Sequence, residues 1–287
     1  MRPTLELTAH AKLNLTLKVV GRRADGLHLL DGLTAFCEFG DKIRIETRVD
    51  RDSLHLTGPF ATQVEGENIV SRTLDLYRDA AGLMEPIAIE IEKNIPIAAG
   101  LGGGSSDAAA VLRGLQKIYE APLNPDTLRD LALSLGADVP VCLACKSAWM
   151  RGIGERLSNA GPLPPMRLVL VNPGIALTAG AVFRRYQGPY SALSPRFPDH
   201  WDEAGIILYI GETSRNDLME TAIFLVPMIL RVLSTMAAHP GVRCVGMSGS
   251  GATCFAIMES GNERDTQMLL DTIRAEGWWA TATALRP

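Results

Sequence analysis

The sequence predicts an α+β protein in two lobes. Three observations carry this: apolar alternation at a period of two through the first third, a glycine run that opens into a helical pattern, and a proline-rich joint at 161–165 ahead of a second mixed half.

Leu13, Leu15, Leu17 and Val19 alternate with Lys12, Asn14, Thr16 and Lys18, which predicts a half-buried strand with Lys12 and Asn14 on its polar face. The same alternation recurs in KIRIETRV at 42–49 and IAIEIEKN at 87–94, giving at least three strands before the glycine loop. Beyond the loop, Ala108, Val111, Leu112, Leu115 and Ile118 fall at helical spacing, with Ser106 or Asp107 placed to cap the helix. Asn124, Pro125 and Gly136 mark the start and stop of a second helix, whose apolar stripe is Leu128, Leu131, Ala132 and Leu135. Asp138 follows, ahead of VPVCLAC, an apolar run that predicts a buried strand. The joint GPLPP then divides the chain into domains at 1–162 and 163–287. After it come a strand MRLVLV at 166–171, a long apolar helix at 217–238 kinked by Pro227, and a glycine and serine turn at 246–251. A strand ATCFAIM at 252–258 and a final helix and strand complete an α+β second half.

Composition narrows the function classes. The 287 residues are 47% hydrophobic and 21% charged, enough apolar material for a sizeable core. A net charge of -4 implies no general attraction to nucleic acid or to an anionic membrane, so an anionic ligand must be captured locally. Glu6, His10, Lys12 and Lys18 interrupt the N-terminal apolar residues, which is unlike a signal peptide, and Pro227 and Arg231 interrupt the most apolar later stretch. A soluble, cytoplasmic protein is expected. Five cysteines are too few for a disulfide scaffold, and Cys142 and Cys145 lack the two further ligands that zinc would need, so no metal ligands are assigned.

The strongest local signal is PIAAGLGGGSSDAAAV. Four glycines within five positions let the backbone approach a phosphate, and the following helix start adds about half a positive charge. The Walker pattern and the dinucleotide fingerprint both fail here, since the run from Gly100 reads GLGGGS. A flexible glycine turn is the plainer alternative. Asp138 is a carboxylate entering the interior, which calls for a cation or donors beside it, although an Asp that merely hydrogen-bonds a turn has the same local pattern. Lys12 reads equally as a solvated surface lysine.

Together, AKLNLTLKVVGRRADGLHLLDGL, PIAAGLGGGSSDAA, GADVP and MSGSGATCFAI resemble the GHMP kinases, in order and across residues 10–255. Within that superfamily the similarity is to members that phosphorylate the 2-hydroxyl of a cytidyl diphosphate sugar alcohol in non-mevalonate isoprenoid precursor biosynthesis. The resemblance implies an N-terminal ATP-binding lobe like ribosomal protein S5 domain 2 and a ferredoxin-like C-terminal lobe. It implies Asp138 as acceptor of the hydroxyl proton and Lys12 as its charge-balancing partner. Pro96, Ile97, Ala98, Ala99, Gly100, Leu101, Gly102, Gly103, Gly104, Ser105 and Ser106 would cradle the ATP phosphates, with Mg2+ accompanying the nucleotide. Asn68 and Lys93 would lie near the ATP base or sugar, although Asn68 also reads as a turn residue. Asn14, Leu27, His28, Phe183, Gly249 and Gly251 would meet the second substrate, His28 alternatively being a plain turn residue. Leu27 stands where the family carries Tyr, which removes one stacking face for cytosine and leaves Phe183 as the other. Ala179 and Gly180 likewise replace the Thr and Pro usual in that loop. The glycine loop reads the nucleotide and not the acceptor, so mevalonate or homoserine kinases and a non-catalytic nucleotide-binding relative share the pattern. A homodimer is compatible with the sequence.

Overall fold

The computed structural model describes residues 4–194, 201–213 and 216–286. The chain forms two compact units, one drawn from 1–11, 40–97 and 102–145, the other from 12–39, 98–101 and 146–287. Strands β1 (Thr4–Asn14) and β3 (His28–Thr47) each contribute residues to both.

In the first unit, β4 (Ser53–Thr57), β5 (Ile87–Glu92) and the second half of β3 lie in the order β4-β5-β3. Strand β5 pairs parallel with β4 and antiparallel with β3, Ile89 facing Ile45. Its period-two pattern is realised, since Ile87, Ile89 and Ile91 are buried while Glu90 and Glu92 are exposed. Helix α2 (Gly103–Ile118) packs on this sheet, and α1 (Ile69–Ala81) packs against α2. Gly114 of α2 sits so close to the sheet that an added Cβ would meet Ile45 Cδ1 at 2.5 Å. Asn68 caps α1 by accepting from the Val70 amide, and Asn124 caps α3 (Pro125–Leu135) by accepting from Thr127, as its sequence pattern requires.

Three expectations for this region change. The helix after the glycine loop starts at Gly103 with Gly102 as its cap in a left-handed conformation, φ 64°, and no side chain caps it. Ser106 and Asp107 lie inside the helix because Ser106 Oγ donates instead to the His10 carbonyl at 2.8 Å and Asp107 takes Lys93 as partner. The VPVCLAC run is not a strand. It forms α4 (Val139–Ala144), where Pro140 occupies the tolerant first turn and packing against α2 outweighs the weak helix propensity of valine. Finally, the strand expected at 13–19 begins at Thr4 and stops at Asn14. The next strand, β2 (Lys18–Arg22), starts after a break in which the amides of Leu15 and Thr16 both donate to the Leu33 carbonyl. Its polar face is buried rather than solvated: Lys12 is 4%, Asn14 1% and Thr16 1% exposed.

In the second unit, β2 and the first half of β3 join β6 (Ala148–Gly152) and β7 (Arg156–Asn159). A separate sheet orders β8 (Arg167–Asn172), β9 (Val242–Met247), β10 (Cys254–Met258) and β11 (Trp279–Ala284) as β11-β8-β10-β9, antiparallel throughout. With helices inserted after β8 and after β10, this is the ferredoxin-like order. Helix α5 (Ala179–Arg185) follows β8, α6 (Glu203–Leu208) runs into a π-helical turn at Tyr209–Thr213, and α9 (Glu263–Ala275) lies between β10 and β11. The apolar stretch expected as one helix at 217–238 is two, α7 (Met219–Leu225) and α8 (Met228–Ala237), because Pro227 cannot continue α7 and instead opens α8. Val169, Val171, Ile229, Val232, Ala256 and Ile273 belong to one buried cluster, which binds these helices to the sheet.

Candidate active site

In the second unit, two glycine segments remote in sequence are fastened together. Ser248 Oγ donates to the Gly100 carbonyl at 2.9 Å and accepts from the Asn14 amide at 3.1 Å. Thr253 N–H reaches the Ala99 carbonyl, and Lys12 N–H reaches the Leu101 carbonyl at 2.9 Å. Asn14 Nδ2 donates to Thr34 Oγ1 at 3.0 Å, which fixes the amide's orientation in a nearly water-free place. Asn216 Nδ2 donates to the carbonyls of both Met247 and Gly249, holding the far side of the 248–251 turn. Gly100 has φ 75°, and a Cβ there would overlap the Ser248 carbonyl and lie 2.8 Å from that of Gly251. Asn14, Gly100, Gly249 and Gly251 therefore form one cluster with the backbone of Lys12 and Leu101.

A second cluster in the same unit is aromatic. The His28 ring stacks on Phe183 with centroids 5.3 Å apart and planes 25° from parallel, and Tyr186 meets the other edge of His28 at 5.8 Å. Burial first and the nearby Arg22 charge second push the His28 pKa down, so the ring is neutral at pH 7. Leu27 beside it is 47% exposed.

In the first unit, the other part of the glycine run opens α2. The left-handed Gly102 and the absence of a side-chain cap leave the first-turn amides and the positive end of a 16-residue helix available to an anion. Ser106 is anchored between the His10 carbonyl and Cys142 Sγ, while Gly104 is exposed and Ser105 half-buried. Pro96 is buried and Ile97 half-buried; Ala98, which belongs to the second unit, is exposed with φ 49°. Lys93 is 3% exposed and paired with Asp41 and Asp107. Asp138, half-buried, stands at the N-terminus of α4, whose other end receives Arg113 Nη1 at the Cys142 carbonyl.

Residues 68–146 match the model of the GHMP kinases N terminal domain. A 4-diphosphocytidyl-2-C-methyl-D-erythritol kinase of Paramagnetospirillum magneticum is 43% identical over 98% of this chain and 99% of that protein. The chain belongs to the GHMP kinases. A further relative of the same description, from Chelativorans sp., is 41% identical over 98% of this chain and 96% of its own length. A crystal structure of a 4-(cytidine 5'-diphospho)-2C-methyl-D-erythritol kinase superposes with a TM-score of 0.80 at 35% identity, covering 99% of this chain and all of that one. The two-sheet α+β architecture with a ferredoxin-like portion is thus the GHMP kinase fold.

Several residues of this GHMP kinase's clusters escaped the sequence reading. Ser248 lies inside the MSGSG segment, so its neighbours drew notice while its hydroxyl, which ties Asn14 to Gly100, did not. Tyr186 sits three residues after Phe183, at the residue that ends α5, a spacing that could have suggested it. Asn216 and Asp41 carry no local signal, since each acts on backbone far away in the chain.

Proposed function

We propose that the chain transfers the γ-phosphate of ATP to the 2-hydroxyl of 4-diphosphocytidyl-2-C-methyl-D-erythritol, within a 1–162 ATP-binding and a 163–287 C-terminal domain. The observation that carries this reading is the 43% identity along the whole chain with a kinase of that description. The bared amides of the α2 N-terminus and the glycine segments around Gly100 and Gly249 support it, since main-chain donors suit a polyphosphate.

In this reading Asp138 accepts the proton of the 2-hydroxyl as its oxygen bonds to the γ-phosphorus. The bond from that phosphorus to the β,γ-bridging oxygen breaks, and ADP departs with the electron pair. Lys12, carried at the buried end of β1, balances the negative charge of Asp138 and the phosphates. Pro96 to Ser106 hold the phosphates, Asn68 and Lys93 flank the nucleoside end, and Asn14, Gly249 and Gly251 face the second substrate's diphosphate. Leu27, His28 and Phe183 receive its cytosine, on the strength of the His28–Phe183 stack. Among the described residues no cluster of three His, Cys, Asp or Glu side chains could hold a metal ion. Mg2+ would be held chiefly by phosphate oxygens and water and would supply charge neutralisation of the phosphates. No helix among the described residues is long and apolar enough to cross a membrane, and a cytoplasmic enzyme fits this substrate.

The test is coupled ADP release with the cytidyl substrate, mevalonate and homoserine. Turnover is expected on the cytidyl compound alone, and turnover on either other alcohol without it would overturn the acceptor. Asp138→Asn should cut kcat by about a thousandfold or more while ATP affinity changes less than about twofold. Undiminished turnover would remove Asp138 from the proton transfer.

A further inference from the structure

Three ionisable groups are buried together in the first unit. Lys93 Nζ pairs with Asp41 Oδ2 and, at 2.6 Å, with Asp107 Oδ2, and the three residues are 3%, 0% and 4% exposed. Burying such a triad gains little over a well-packed apolar cluster, so stability alone gives no reason for it. Its geometry gives one. Asp41 Oδ1 accepts from the amides of Asn94 at 2.6 Å and Ile95 at 2.7 Å, the two residues that lead into the phosphate loop. Asp107 lies near the start of α2, where the loop ends. Lys93 joins the two, so the entry and exit of the loop hang on one ammonium group. The fit is close, because a Cβ on Gly103 would lie 3.2 Å from Ile95 Cγ2 and 3.8 Å from Lys93 Nζ. Asp107 Oδ1 is buried with no hydrogen-bond partner, so the carboxylate is held in place for its contact with Lys93 at the expense of its other oxygen. Burial raises the Asp107 pKa well above the usual carboxylate range, with Lys93 opposing and Asp41 adding.

We propose that Asp41 and Asp107 are positioning residues for ATP: acting through Lys93, they clamp the Asn94–Ile95 turn to the first turns of α2, so that the α2 amides are aimed before the nucleotide arrives. This rests on the reading of the glycine loop as the ATP site. The clamp explains why a lysine three residues before the loop is spent on two carboxylates.

The experiment compares Asp107→Ala, Asp41→Ala and the conservative Asp107→Asn, which keeps an oxygen toward Lys93, by steady-state kinetics on the full chain. Each alanine variant should raise the KM for ATP about tenfold and leave kcat and the KM for the cytidyl substrate within about threefold, while Asp107→Asn should keep most of the wild-type KM for ATP. Equal loss for both substrates, or a lowered melting temperature with both KM values unchanged, would assign the triad to stability alone and overturn the proposal. Should the alanine variants not fold, amide exchange of the wild type decides. Slow exchange at Asn94 and Ile95, whose amides donate to Asp41, is expected without ATP, and fast exchange there would refute a preformed clamp. ATP protection of 100–106 in the wild type checks the underlying reading separately, and its absence would overturn that reading and the clamp with it.

Discussion

Phe183 is the residue on which recognition of the second substrate rests most directly. Its ring already carries His28 at stacking distance, and Leu27, exposed and aliphatic, offers no second aromatic plane. Aromatic stacking contributes about 0.5–1.5 kcal/mol beyond the area it buries. Phe183→Ala should therefore raise the KM for the cytidyl substrate roughly tenfold, about 1.4 kcal/mol, with the KM for ATP unchanged. Initial-rate measurements varying each substrate in turn check this, and a parallel rise in both constants would count against the cytosine assignment. Motifs exposed some of these residues plainly. Asn14, Gly100 and Gly249 could be named from the sequence because their blocks resemble a family, whereas their connection through the Ser248 hydroxyl could not, since a hydrogen bond across 234 residues leaves no periodicity. Lys12 and Asn14 were legible as polar positions of a strand. Their burial was not, because alternation reports which side a residue faces and not whether that side meets water.

At the scale of elements, the glycine run divides into positions that serve folding and positions that serve the ligand. Gly100 combines a φ of 75° with backbone oxygens of Ser248 and Gly251 where a Cβ would go, so Gly100→Ala must shift the 248–251 turn and is expected to cost about 2–4 kcal/mol. Gly104 lies in the first turn of α2 with ordinary room for a methyl group, its nearest neighbour being Ile69 Cγ2 at 3.5 Å. Gly104→Ala should keep or gain up to about 1 kcal/mol of stability through helix propensity, yet raise the KM for ATP severalfold by obstructing the approach of a phosphate. Denaturant melts beside ATP kinetics separate the two, and a stable Gly104→Ala with normal ATP binding would argue against close phosphate approach at α2. Caps set by Asn and Gly were readable, as α3 demonstrates from Asn124 to Gly136. The glycine N-cap of α2 was not, because Gly102 acts by backbone conformation, and the hydroxyl and carboxylate expected to cap α2 were claimed by His10 and Lys93. The helical VPVCLAC segment likewise owes its form to packing on α2, which outweighs its composition.

For the molecule as a whole, strand patterns and the order of elements conveyed an α+β fold, but not that β1 and β3 each feed both compact units. That is a property of long-range pairing, invisible to any window of a dozen residues. The ferredoxin-like sheet shows the same dependence at its C-terminus. Strand β11 arrives last and pairs with β8 at six positions from Trp279–Asn172 to Ala284–Arg167. Beyond it, the Leu285 amide donates to the Met166 carbonyl and the Arg286 amide to that of Phe36. Removing 279–287 would leave β8, an interior strand rich in leucine and valine, as an unprotected edge and would uncover the face beneath α9. The truncated chain is expected to lose cooperative unfolding of the second unit, to bind a hydrophobic dye, and to aggregate at concentrations where the full chain stays dispersed. Far-ultraviolet melts with light scattering measure both, and a truncated protein that melts as sharply and as late as the full chain would show that the sheet is complete without its final strand.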